Sequence, residues 1–113
     1  MAWSEWKKFG SGNYLTAENT NHTSNSPHSL SLDTKSISSG ILVVFSSVGG
    51  SMNPAVNIYG ATIEETIEDN TGLYNANLGF YVYKLKDIGD TLTVTQAYTN
   101  SFNGRDLKIT LIY

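Results

Sequence analysis

The chain has 113 residues, no cysteine, 15% charged side chains and a formal net charge of −3. These values exclude disulfides, thiolate zinc sites and cysteine nucleophiles. With Lys7-Lys8 as the densest basic cluster, they also argue against nucleic-acid binding through phosphate neutralisation.

The length fits a single domain spanning 1–113, large enough to bury a core without metal or disulfide help. The charged share lies below the ~25% typical of soluble domains. Ser, Thr, Asn and Gly fill the gap, a composition that suits extracellular or virion surfaces. Met1–Lys8 carries acid and base where the apolar stretch of a signal peptide should follow, so no leader is expected. The longest apolar run, Ile41–Phe45, is too short to span a bilayer. The expected location is therefore virion-associated, or cytoplasmic until lysis, with no membrane insertion.

In chain order, residues 1–15 read as an aromatic N-terminal arm holding Trp3, Trp6, Phe9 and Tyr14, strand-like around Ser4–Phe9. Residues 16–29 lack an apolar period and read as a long polar surface loop. His28 to Asp33 alternates, with Leu30 and Leu32 on one face, and predicts a short strand. Ile41-Leu42-Val43-Val44-Phe45 is β-branched and apolar on both faces, which predicts a central strand. Val56-Asn57-Ile58-Tyr59 alternates again before Gly60.

Ala61–Asp69 carries two signals. Thr62 and Glu65 form a capping box, while the β-branched content favours a strand with Ile63, Glu65 and Ile67 on one face. The reading adopted is strand. Leu78–Leu85 sets Phe80 and Val82 against Tyr81, Tyr83 and Leu85. Thr91–Tyr98 sets Leu92, Val94 and Gln96 against Thr93, Thr95 and Ala97. Leu107, Ile109 and Leu111 alternate to the end, and 91–113 reads as a hairpin turning at Asn103-Gly104. About six to eight strands at roughly ten-residue spacing predict an all-β antiparallel β-sandwich, jelly-roll or Ig-like.

Few groups offer chemistry. His22 and His28, with Glu18 or Asp33, would make a sparse metal set; two solvated loop histidines is the simpler reading. No Gly-x-Ser-x-Gly elbow and no phosphate-binding glycine loop is present. Glu64, Glu65, Glu68 and Asp69 are neighbours on one segment, whereas a glycoside hydrolase needs carboxyls facing across a cleft. Asp87 and Asp90 flank Gly89 and are candidates for calcium together with backbone carbonyls; no other cofactor is expected. The aromatic residues are the most suggestive feature. Tyr81, Tyr83, Tyr98 and Phe102 could stack on sugar rings, while Asn100 and Asn103 bond hydroxyls.

The chain resembles small stand-alone β-sandwich proteins encoded among the tail genes of phages and prophages of Gram-positive bacteria. The likeness is carried by Met1-Ala2-Trp3-Ser4-Glu5-Trp6, Ile41-Leu42-Val43-Val44-Phe45 and Val56-Asn57-Ile58-Tyr59-Gly60-Ala61-Thr62. Gly89-Asp90-Thr91-Leu92-Thr93-Val94-Thr95 and Leu107-Lys108-Ile109-Thr110-Leu111-Ile112 complete it. It implies a tail-tip, fibre-associated or host-surface-binding role, without supplying functional residues. The expectation is a non-enzymatic subunit, homo-oligomeric, whose partners are other particle proteins or a cell-surface polysaccharide. An extended edge such as the C-terminal strand would await a partner. A carbohydrate-binding module is the alternative, and a small hydrolase using the acidic cluster a third.

Overall fold

A computed structural model describes residues 13–21, 27–49, 54–72, 78–97 and 104–113. It contains β1 (Tyr14–Asn19), β2 (Ser29–Asp33), β3 (Gly40–Val48) and β4 (Val56–Tyr59), then β5 (Thr62–Gly72), β6 (Leu78–Lys86), β7 (Thr91–Gln96) and β8 (Gly104–Ile112). All strand pairs are antiparallel. They form a five-stranded sheet, β1-β8-β3-β6-β5, packed as a sandwich on a three-stranded sheet, β2-β7-β4.

The alternation of each strand explains the packing. Leu42 and Val44 of β3, Leu107, Ile109 and Leu111 of β8, and Tyr81, Tyr83 and Leu85 of β6 line the inner face of the wide sheet. They meet Leu32 of β2 and Leu92 and Val94 of β7. Successive strand side chains point to opposite faces, so one buried face draws every second residue inward. As expected, β3 lies at the centre of its sheet and is apolar on both sides.

Four expectations change. The supposed loop 16–29 contains most of β1, whose Leu15, Ala17 and Asn19 are half-buried. Its signal is weak because an edge strand with two small or medium apolar residues carries little period. The 91–113 hairpin is not formed: β7 pairs with β2 and β4, whereas β8 pairs with β1 and β3 in the other sheet. Alternation reports which face is buried, not which sheet a strand joins. It follows that the C-terminal strand is no open edge, since β8 has neighbours on both sides. Finally, Ala61–Asp69 is strand, but register shifts at Ile63/Glu65 and Thr66/Glu68 break its period. Ile63 therefore pairs with inward Leu85 and Glu65 with Lys84 of the opposite face. Of the 1–15 arm, Tyr14 and Leu15 belong to β1, while residues 1–12 and Asn103 of the Asn-Gly turn lie outside the described residues.

One end of the sandwich is closed by backbone bonds. Thr34 N donates to Asp90 O (2.9 Å), Ile88 N to Ser38 O (3.1 Å) and Gly89 N to Gly60 O (2.8 Å). Gly60 turns the chain between β4 and β5 with φ 91°, a left-handed conformation that disfavours any Cβ. A Cβ there would collide with the carbonyl oxygen of Thr91, while one at Gly89 meets only Gly60 O at 3.6 Å. Gly60→Ala is therefore expected to destabilise the fold by about 1–3 kcal/mol. Gly89→Ala should stay within about 0.5 kcal/mol of the parent. Urea unfolding of the two variants side by side checks the difference.

Candidate functional site

The opposite end is built differently. β3 finishes there at Val48 and β7 at Gln96, and β8, β2 and β6 begin there, as the pairs Ser47↔Leu78, Ser47↔Asp106 and Ser29↔Thr95 show. Beneath these strand ends lies a buried polar cluster. Gln96 takes the inward slot after Leu92 and Val94 and is only 1% exposed. Its Nε2 donates toward Ser46 Oγ (3.1 Å), Ser47 O (3.0 Å) and Asp106 O (3.2 Å). Its Oε1 accepts from His28 N at 2.9 Å. One amide thus joins β7 of the narrow sheet to β3 and β8 of the wide one. Ser47 Oγ adds a bond to Asp106 Oδ2 (3.3 Å) and accepts from Asp106 N (3.2 Å).

His28 is not the solvated loop residue that the sequence suggests: it is 4% exposed. Its Nε2 lies 2.9 Å from Arg105 O. A carbonyl only accepts, so that nitrogen carries the proton and ties the lead-in of β2 to β8. The cluster brings a serine, a histidine and an aspartate together, yet not as a nucleophile and base. Ser47 Oγ donates to Asp106, and His28 Nε2 is committed to a backbone carbonyl. A nucleophile needs its base within hydrogen-bond reach of the attacking oxygen. What this geometry does is satisfy buried polar groups across two sheets.

Tyr81 and Tyr83 share a face, as expected, but that face is the inner one. They are 2% and 9% exposed, so their rings cannot form an open platform for sugar. The rings stack with centroids 6.2 Å apart and planes 5° from parallel. Tyr81 lies over Gly79, where a Cβ would meet its ring atoms, and its hydroxyl bonds Thr71 Oγ1 at 2.7 Å. The face choice was open in the sequence because Phe80 and Val82, on the other side of β6, are apolar too. Tyr98, Asn100, Phe102 and Asn103 lie outside the described residues. The exposed aromatic side chains among the described residues are Tyr14, Tyr59 and Phe80.

Asp87 and Asp90 sit at the far, backbone-closed end. Gly89 O accepts from Thr34 Oγ1 (2.7 Å) and Asp90 O from Thr34 N (2.9 Å), so carbonyls that calcium would use already serve the turn. Among the described residues no group of three or more His, Asp or Glu could hold a metal. Calcium takes 6–8 oxygens, and two aspartates with engaged carbonyls fit it poorly. Glu64, Glu65, Glu68 and Asp69 lie along β5, which among the described residues pairs with β6 alone. Glu64 pairs with Lys84 at 3.5 Å; an exposed pair of this kind contributes little. His22 lies outside the described residues.

Compared with known proteins, the chain matches no family model, no curated protein and no solved structure.

The buried tyrosines make a measurable pH statement. Burial, then the charge of Asp69, pushes the Tyr83 phenol up from 10.0 to about 12. Tyr81 is raised as well, first by burial and against its Thr71 bond. A phenol that ionises later in the folded chain favours folding below the unfolded value. That contribution is intact below pH 10.0 and is lost as pH rises through about 12. Absorbance titration at the tyrosinate band should show late-ionising phenols that vanish on unfolding. Tyr83→Phe should reduce the alkaline loss of stability; a simple titration of all tyrosines near pH 10 would contradict their burial.

Proposed function

We propose that this chain is a non-enzymatic β-sandwich of the phage or prophage type, acting as a structural or host-surface-binding subunit. The observation that supports it most is the Gln96 cluster. The buried Ser47 and His28 and the half-buried Asp106 at the Gln96 end are engaged in structural bonds, His28 Nε2 with Arg105 O across the sheets and Ser47 Oγ with Asp106 within the wide one. Chemistry at that end would have to break the clamp, whereas recognition by the exterior would not. The uncharged polar composition suits weak, multivalent contact with glycans and with other particle proteins.

A glycan contact would sit on the stretch holding Tyr98, Asn100, Phe102 and Asn103. The clamp ties both flanks of that stretch, Gln96 to Asp106 O at 3.2 Å. Anchoring the ends of a segment lowers the entropy that binding must remove. The carbohydrate-binding alternative therefore survives without Tyr81 and Tyr83.

The test is retention of the purified protein on Gram-positive cell walls and soluble polysaccharides, with and without calcium. The expected result is retention on cell walls that chelator does not abolish. Tyr98→Ala or Phe102→Ala should weaken it about tenfold or more, with Tyr83→Phe at parent level. Retention unchanged by Tyr98→Ala and Phe102→Ala would remove that stretch from the contact. Release of soluble sugar from the walls would overturn the non-enzymatic reading.

A further inference from the structure

Among the described residues the sandwich has four edge strands, β1 and β5 in the wide sheet and β2 and β4 in the narrow one. Edges invite pairing with other chains, and proteins blunt the edges they do not use. β5 is blunted twice over, by two register shifts and by Glu64, Glu65, Glu68 and Asp69. β4 has four residues, held between Pro54 and Gly60. β2 has five residues; Ser29 and Ser31 are bonded to Thr95 and Thr93 of β7, and Asp33 turns back to Lys35 N.

β1 is longer than β2 and β4 and has neither the register shifts nor the acidic run of β5. As on β2, its side chains do bond the neighbouring strand and the chain, Thr16 Oγ1 donating to Ile109 O (3.0 Å) and Asn19 Oδ1 accepting from Asn21 N (3.0 Å). Its six residues pair with β8 in unbroken register. Tyr113 N donates to Asn13 O at 2.9 Å, which marks residues 13 and 113 as a hydrogen-bonded pair. Such pairs alternate along an antiparallel ladder. Leu15, Ala17 and Asn19 therefore turn their backbone groups to β8, and Tyr14, Thr16 and Glu18 turn theirs to the open side. No strand lies on that side among the described residues. Thr16, Glu18, Lys108 and Thr110 line a shallow groove over the β1–β8 pair, and Tyr14 is 65% exposed.

We propose that β1 is the assembly edge and that its occupant is β1 of a second copy of this chain, antiparallel, with Thr16 on the two-fold axis. The register follows from the ladder. Only with Thr16 opposite its own copy do Tyr14, Thr16 and Glu18 of both chains all find backbone partners. Opposite side chains then suit one another. Glu18 meets the Tyr14 hydroxyl of the second copy, not its Glu18, and Leu15 meets Ala17, large against small. Each Glu18 keeps Lys108 at 3.4 Å, so no carboxylates are brought face to face. The pairing would fuse the two wide sheets into one continuous sheet with a two-fold, self-complementary interface. The inference deepens the assembly side of the proposed function by naming its partner. It fails separately: loss of cell-wall retention leaves it standing.

The test uses the full chain. Sedimentation across a concentration series should show a monomer–dimer equilibrium. Thr16→Pro removes the amide on the axis, which faces away from β8, along with the hydroxyl that bonds Ile109 O. Thr16→Val, which loses only the hydroxyl, is the control. Self-association should weaken at least tenfold in the proline variant alone, with circular dichroism unchanged in both. The chain has no cysteine, so Thr16→Cys gives an unambiguous second reading. Cα atoms opposite each other in a hydrogen-bonded pair are about 5.5 Å apart, within disulfide range. Mild oxidation should give a reducible covalent dimer from Thr16→Cys and little from Thr62→Cys on the blunted edge. A monomer at every concentration overturns the proposal. So does a dimer that survives Thr16→Pro, or equal cross-linking at both positions. If Thr16→Pro does not fold, the parent sedimentation and the cysteine pair decide.

Discussion

Two β-sheets packed face to face share a slippery interface. Leucine and valine side chains specify that the faces meet, but they tolerate sliding of one sheet over the other, because apolar contact is non-directional. Directionality enters here through one amide. Gln96 reaches from the narrow sheet to Ser46, Ser47 and Asp106 of the wide one, and its oxygen receives the amide of His28. A buried polar group left unpaired costs about 1–3 kcal/mol. Any slide that pulled Gln96 off its partners would orphan several groups at once. The cluster therefore fixes the relative position of the sheets more than it adds attraction between them.

The unequal widths of the sheets set the second constraint. Among the described residues, a five-stranded sheet over a three-stranded one leaves the β5 side without a full facing layer of strands. The structure answers with large side chains on β6. Tyr81 lies over Gly79, stacks with Tyr83 and ends in a hydroxyl bond to Thr71 of β5. A tyrosine suits this border because its ring enters the core while its hydroxyl finds a polar partner near the rim. Beyond it β5 is mostly exposed and carries charge, which explains how an eleven-residue strand with so few apolar residues holds its place. It depends on backbone pairing with β6, not on a buried face.

This division explains what could be read from the chain alone. β3, β6, β7 and β8 were legible because their inner faces are filled by Leu, Ile, Val and Tyr at every second position. β1 was not, since Leu15 and Ala17 are half-buried at an edge and give no strong period. In β5 the bulges destroy the period that sequence reading relies on. Alternation also grouped Tyr81 with Tyr83 correctly yet could not say which face of β6 met the core, because Val82 and Phe80 are equally apolar. For the candidate site, the clue was Gln96 itself. A glutamine in line with Leu92 and Val94 occupies a slot that demands buried partners. Its partners, Ser46, Ser47 and Asp106, are remote in sequence and emerge only when β3, β7 and β8 converge.

The two ends of the sandwich follow from the same economy of bonding. At the closed end, short turns satisfy one another through backbone groups, as Thr34 with Asp90 and Gly60 with Gly89. Such bonds need particular backbone shapes, including φ 91° at Gly60 and φ 50° at Asp87, so the tolerance for sequence change is low. At the other end the sheets are joined by side chains seated below the strand ends. The sheets are thus joined at the strand ends themselves, through Gln96, Ser46 and Asp106. A scaffold locked beneath its strand ends is the arrangement on which binding surfaces are commonly built. In this chain the physical origin of that arrangement is the inward glutamine at the last position of β7.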